Sequence, residues 1–192
     1  TLFTARFGIM RAAFFTEGYE KSKAYASLVL ESSTLTELQE AESNYASGIS
    51  SFKLNQYNDA MIPLQWLVDH TTTFMGSEAK FTMAFMHYKL EDLSTANIEI
   101  QELLKMKPSY DYWIAKGLIL KSRIFVKQRD FVQAEQNLKS VKEHYPTKDD
   151  GRDTSLDAGA TSTSSTGRST GRSKPSRPYR QWRWQHSSWT SS

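Results

Sequence analysis

One three-residue pattern returns four times along the first three quarters of the chain, and it constrains the fold more than any other feature. An aromatic residue or Leu is followed three positions on by a small residue, and four further on by an aliphatic or small one. The copies read Tyr19-Ser22-Ala26, Tyr57-Ala60-Leu64, Leu93-Ala96-Ile100 and Phe131-Ala134-Leu138. First members at 19, 57, 93 and 131 put the copies 38, 36 and 38 residues apart. Spacings of three and seven lie on one face of a helix, and a fixed long period is the mark of one supersecondary unit stacked on itself. Pro108 and Pro146 each fall 12 residues after the Ala of their unit. Proline has no amide donor and ends a helix at that point, so each closes the second helix of a hairpin.

Between the copies, apolar residues keep helical spacing. Phe81, Phe85 and Tyr88 stand at i, i+4 and i+7, while Leu118, Ile119, Phe125 and Val126 fill two adjacent faces. The pattern predicts helices over 2–16, 19–32, 35–54, 57–71, 77–90, 93–106, 110–128 and 131–144: four hairpins joined by short turns, an all-α chain. The start signals are Thr34 with Glu37 as a capping box before Leu38, Ser77 before Glu78, and Ser109 after Pro108. Pro63 conflicts with the pattern. Inside the second helix of the second hairpin its ring crowds the carbonyl of Asp59, so either the helix kinks there or it begins later.

The registered small residues and prolines resemble the tetratricopeptide repeat family, whose unit carries a small residue at its eighth position, Ala at its twentieth and Pro at its thirty-second. The matching residues are Gly48 with Ala60, Ala84 with Ala96 and Pro108, and Ser122 with Ala134 and Pro146. The first unit has Ser22 in place of the Ala, the family's Trp at position four is absent, and the units are two to four residues long for the family. The long units, with Tyr110-Asp111-Tyr112-Trp113 and Glu143-His144-Tyr145-Pro146, are similar to divergent bacterial repeats of envelope-associated scaffolds. The resemblance covers residues 3–146 and implies an α-α superhelix, or solenoid, of about four hairpins. Its packing residues would be Gly48, Ala60, Ala84, Ala96, Ser122 and Ala134.

For function, the resemblance implies a non-enzymatic scaffold that binds a segment of another protein on a concave face lined by the first helix of each hairpin. Carried over by position, that face would hold Tyr45, Ile49, Phe52 and Lys53, then Phe81, Phe85, Tyr88 and Lys89, then Ile119, Arg123, Val126 and Lys127. Rings would take apolar anchors, and Lys53, Lys89 and Lys127 would form a basic ladder for acidic groups. The plainer reading of the same residues is rings packed between helices and a solvated Lys face. Ile49, Phe85 and Arg123 stand where a carboxylate-clamping repeat needs Asn, so a clamp for a chain terminus is not expected. A regulatory array of a larger enzyme is a further alternative. The envelope-type resemblance implies a bacterial periplasm or cell envelope, with the cytoplasm otherwise. The chain opens on Thr1 directly into a helix and is read as a piece of something longer.

The formal net charge of +3 invites a nucleic-acid reading until it is split by position. Residues 1–146 hold 16 Lys and Arg against 17 Asp and Glu, whereas residues 147–192 hold 8 against 4. After Pro146 there is no Ile, Val, Phe, Met or Glu, and Ser and Thr fill 18 of the 46 positions. Such a stretch buries too little apolar surface to offset chain entropy, so 147–192 is expected to be a disordered low-complexity tail. Two readings of it stand. Arg177, Arg180 and Arg183, interleaved with Tyr179, Trp182, Trp184 and Trp189, could bind single-stranded bases or a membrane surface. Alternatively, the abrupt switch to Ser, Arg, Thr, Gly, Pro and Trp is that of translation in a wrong frame.

No catalytic constellation emerges. With no Cys, disulfides, thiolate zinc sites and cysteine nucleophiles are excluded. His70, His87, His144 and His186 have no metal-ligand spacing, and no phosphate-binding glycine loop occurs. Gly167-Arg168-Ser169-Thr170-Gly171 matches the nucleophile elbow in letters only, because that motif needs a strand-to-helix turn. No cofactor, no metal and no transmembrane segment is expected.

Overall fold

The computed structural model describes residues 2–145, and within them the chain is all-α, with no strand. The helices are α1 (Leu2–Phe15), α2 (Tyr19–Leu30), α3 (Glu37–Lys53), α4 (Tyr57–His70), α5 (Phe74–Lys89), α6 (Leu93–Lys105), α7 (Asp111–Lys127) and α8 (Phe131–His144). The expected tail, 147–192, and Pro146 lie outside the described residues.

Three helix starts differ from expectation, each for a local reason. The capping box belongs to Thr36 and Gln39: the Thr36 hydroxyl accepts from the Gln39 amide at 3.2 Å, and the Gln39 side chain accepts from the Thr36 amide at 3.0 Å. The segment from Thr34 to Gln39 contains the box pattern twice, offset by two. Leu35 packs against the apolar cluster of the first hairpins, which seats Thr36 rather than Thr34 at the cap. Helix α5 begins at Phe74 after an extended Thr73, so Ser77 is a buried interior residue and not a cap. Gly76 explains the early start, since a Cβ there would lie 2.9 Å from the carbonyl oxygen of Thr71. Helix α7 is preceded by Tyr110, not Ser109. The Tyr110 hydroxyl donates to the carbonyl of Thr72 at 3.1 Å and ties the start of α7 to the α4–α5 turn.

The turns inside the hairpins are four copies of one structure. Glu17, Asn55, Glu91 and Arg129 have φ of 59°, 58°, 64° and 61°, the left-handed conformation that ends many helices. They fall 38, 36 and 38 residues apart, the interval of the sequence repeat. Around each one, two amides reach back in the same way. For the second hairpin Asn55 donates to the carbonyl of Phe52 and Gln56 to that of Ser51; for the third, Glu91 to Tyr88 and Asp92 to His87. This Schellman arrangement satisfies carbonyls that the helix end leaves free. The same residue that completes it opens the next helix. Asp92 and Asp130 accept from the amides of Thr95 and Gln133, both at 3.1 Å.

Each helix packs on its neighbours in sequence, and each odd helix also touches the next odd one. Small residues set how closely they approach. Gly48 of α3 lies under Leu64 of α4, where a Cβ would come within 2.7 Å of Leu64 Cδ2. Ala60, Ala84, Ala96, Ser122 and Ala134 are all buried. In the first hairpin the Ser22 hydroxyl reaches the Met10 carbonyl at 3.2 Å, so the serine performs the same close approach. Helix α4 is continuous through a buried Pro63, which removes the later-start alternative. The core runs as three apolar clusters in chain order, from α1 to α5, then α5 to α7, then α7 to α8. The last is the smallest, with Ala115, Ile119 and Val141 at its centre.

Two glycine substitutions should move stability in opposite directions. Gly48→Ala drives a methyl into a fully buried Leu64 and should cost about 1–3 kcal/mol. Gly8→Ala, where a Cβ meets nothing within 4 Å, should add about 0.5–1 kcal/mol by removing chain entropy from the unfolded state. Urea midpoints of both variants check the pair.

Candidate protein-binding surface

The residues expected on the binding face come from α3, α5 and α7, the odd helices that touch one another. The structure divides them into two groups. Tyr45, Ile49 and Ile119 are buried in the core and cannot serve as exposed anchors. The Tyr45 ring packs 5.5 Å from Phe14 and 6.4 Å from Phe74. Ile119 packs with Ala115 and Val141. Tyr45 lies between neighbouring odd helices and Ile119 is covered by α8, so the register that aims them toward the face also covers them.

The other rings form a connected row. Phe52 of α3 meets Phe85 of α5 edge-on at 6.1 Å, and Phe85 stacks with Phe81 and Tyr88, each at 6.2 Å. Phe81 continues to Trp113 of α7 at 5.4 Å, and Phe52 leans on Tyr57 at 6.2 Å. Phe52, Phe81, Phe85 and Tyr88 are half-buried: they pack against the clusters beneath and keep part of each ring accessible. Arg123 is half-buried and Val126 exposed.

The three lysines are exposed but not equivalent. Lys89 holds its ammonium 5.4 Å from the centre of the Phe85 ring. Lys127 sits 4.5 Å from the Tyr88 ring and 2.6 Å from a Glu91 carboxylate oxygen, and that partner holds its pKa above the usual value. The basic ladder therefore has one rung already paired within the chain.

Two carboxylates outside the expected binding face lie between the odd helices. Glu78 of α5 accepts a 2.9 Å hydrogen bond from the Tyr45 hydroxyl. Its burial pushes the pKa up to about 7, against the opposing effects of that hydrogen bond and the Lys53 charge. Glu42 of α3 is 2% exposed and faces Arg11 of α1 at 3.6 Å. Burial raises its pKa too, with the guanidinium opposing. Glu42 and Glu78 are 36 residues apart, the repeat interval, so the signal was present in the register. On the far side of α5, Lys80 is buried and pairs with Glu99 and Glu102 of α6.

Among the described residues no group of His, Asp and Glu is arranged to hold a metal ion, and no helix is long and apolar enough to cross a membrane. Arg177, Arg180, Arg183, Tyr179 and the tail tryptophans lie outside the described residues. No protein-family model matches the chain, and no characterised protein matches its sequence.

Glu78 gives a pH prediction. Its carboxyl binds a proton up to about pH 7 when folded and up to about 4.5 when unfolded. Between those values the folded state holds more protons, so stability should fall as pH rises through that window and level off above it. Glu78→Gln should flatten the slope, leaving the share due to Glu42, whose pKa is also raised. Urea midpoints across the window measure it, and a profile parallel to wild type would contradict the assignment.

Proposed function

We propose that the four hairpins stack as a tetratricopeptide-like α-α superhelix, and that the chain is a non-enzymatic scaffold holding a segment of a partner protein against its odd helices. The observation that carries this reading is the ring row from Phe52 through Phe85 to Tyr88, half-buried and crossed by the ammonium groups of Lys89 and Lys127. Rings anchored from below lose little freedom when a partner covers them, which suits aromatic residues to the centre of an interface. Exposed Lys53 and Lys89 beside them favour a segment carrying carboxylates between apolar side chains. The repeated turns and the buried small residues support the superhelical arrangement, because identical connections between like helices repeat one rotation.

The test is a quantitative pull-down with the full chain as bait, in cell extract of its own source. Wild type should enrich a partner that Phe85→Ser combined with Lys89→Glu loses by about tenfold or more, a loss of about 1.4 kcal/mol. The variant's circular dichroism must remain helical. Equal recovery of the same partners by a folded variant would remove this surface from consideration.

A further inference from the structure

The cations of the helical array are unevenly placed along it. Residues 1–104 hold 7 Lys and Arg against 13 Asp and Glu, whereas residues 105–146 hold 9 against 4. The repeat register narrows that imbalance to one helix. Three positions of the odd helices reach back to the odd helix before. At the first, Glu42 of α3 meets Arg11 of α1, and Glu78 of α5 meets Tyr45 of α3. At the second, Phe85 of α5 meets Phe52 of α3. At the third, Lys127 of α7 meets Tyr88 of α5. By the repeat interval these positions hold Glu42, Ile49 and Lys53 in α3, and Glu78, Phe85 and Lys89 in α5. In α7 they hold Lys116, Arg123 and Lys127. One acid stands with one base in α3 and in α5, while in α7 all three are cations.

These three cations share one side of α7, at i, i+7 and i+11, over about 16 Å of helix. By register they line the seam between α5 and α7, both of whose walls lie inside the array. Lys116 and Arg123 are half-buried. Lys127 is held over Tyr88 and beside Glu91. Across the seam stand Phe85 and Tyr88, two half-buried rings of the proposed surface. The only acid of α7 itself is Asp111, its first residue.

We infer, on the reading of the odd helices as the binding surface, that the partner segment is charge-polarised. Its run of carboxylates lies in the α5–α7 seam against Lys116, Arg123 and Lys127, and its apolar side chains lie on the rings of α3 and α5. An extended stretch of about five residues covers about 16 Å, so carboxylates within such a stretch serve all three cations. Complementary charge at one end of the surface fixes which way the segment lies. A uniform polyanion fits less well. A nucleic acid carries a phosphate at every nucleotide, and one that runs beyond the seam meets the acid-rich remainder of the array. A bilayer surface is flat, whereas Lys116 and Arg123 are half-buried.

Fluorescence anisotropy with the full chain and synthetic peptides tests the inference. The probe is a labelled peptide of about ten residues, Glu-rich in its first half and carrying Leu and Phe in its second. A matched peptide has Gln for each Glu. Wild type should bind the Glu peptide about tenfold or more tightly than the Gln peptide, and the preference should shrink as salt rises. Lys116→Gln combined with Arg123→Gln should bind the two peptides alike, at the wild-type affinity for the Gln peptide. That retained affinity separates lost recognition from lost folding. Lys139→Gln combined with Lys142→Gln removes the same charge from α8 and should leave the preference intact. An α7 variant that still prefers the Glu peptide would overturn the inference alone, as would a wild type that binds neither peptide. Oligothymidylate bound as tightly as the Glu peptide would also overturn it. Phe85→Ser judges the surface separately: it should weaken both peptides by the same factor, and unchanged binding of both would remove the surface and the inference with it.

Discussion

Close approach between consecutive helices is the constraint on which the rest of the structure depends. Gly48 beneath Leu64 leaves no room for even one methyl group, and Gly117 beneath Ile100 and Leu103 brings the backbones almost as close. Because those seats are empty of side chain, the facing Leu and Ile residues are completely enclosed, each contributing about 1.5–3 kcal/mol relative to exposure. A chain this rich in Ser, Thr and charge has few large aliphatic residues to spare. It obtains full burial of Leu64, Leu67, Ile100 and Leu103 by bringing backbones together rather than by filling space with bulk.

Much of this was legible in the sequence because one interval governs everything. The spacing that aligns Tyr57-Ala60-Leu64 with Leu93-Ala96-Ile100 also aligns Asn55 with Glu91, the left-handed residues of two identical turns. Those turns were not foreseen as left-handed, since Glu17, Glu91 and Arg129 are not the Gly or Asn that usually mark one. Helix starts were the least legible part. A capping box is a local pattern, and between Thr34 and Gln39 it occurs twice; burial of Leu35, a tertiary fact, chooses between them. Likewise Ser77 has the composition of a cap, but the tight α4–α5 connection at Gly76 starts the helix before it.

The candidate surface was legible in part, and for a related reason. Position in the repeat identifies which residues point between the odd helices, but not how far the neighbouring helix covers them. Tyr45, Ile49 and Ile119 are covered; Phe52, Phe81, Phe85 and Tyr88 are only half-buried. Covering also converts charge into structure. Nothing in the sequence separates Glu42 and Glu78 from solvent-facing helix acids, yet the helix beside them desolvates both carboxyls. Lys127 similarly spends its charge on Glu91 of the preceding hairpin. Hence the candidate face is a row of half-buried rings beside two exposed lysines, rather than the uniform basic ladder that spacing alone implied.

The superhelical reading makes one geometric demand: equivalent positions must advance by a constant step along a curve. The absence of Cys from the chain allows paired nitroxide labels to be introduced at the exposed positions 53, 89 and 127 without background. Double electron–electron resonance should then return equal mean distances for 53–89 and 89–127, and a 53–127 distance shorter than their sum. Two clearly unequal steps would contradict a repeated rotation, and with it the claim that one hairpin, stacked four times, makes this protein.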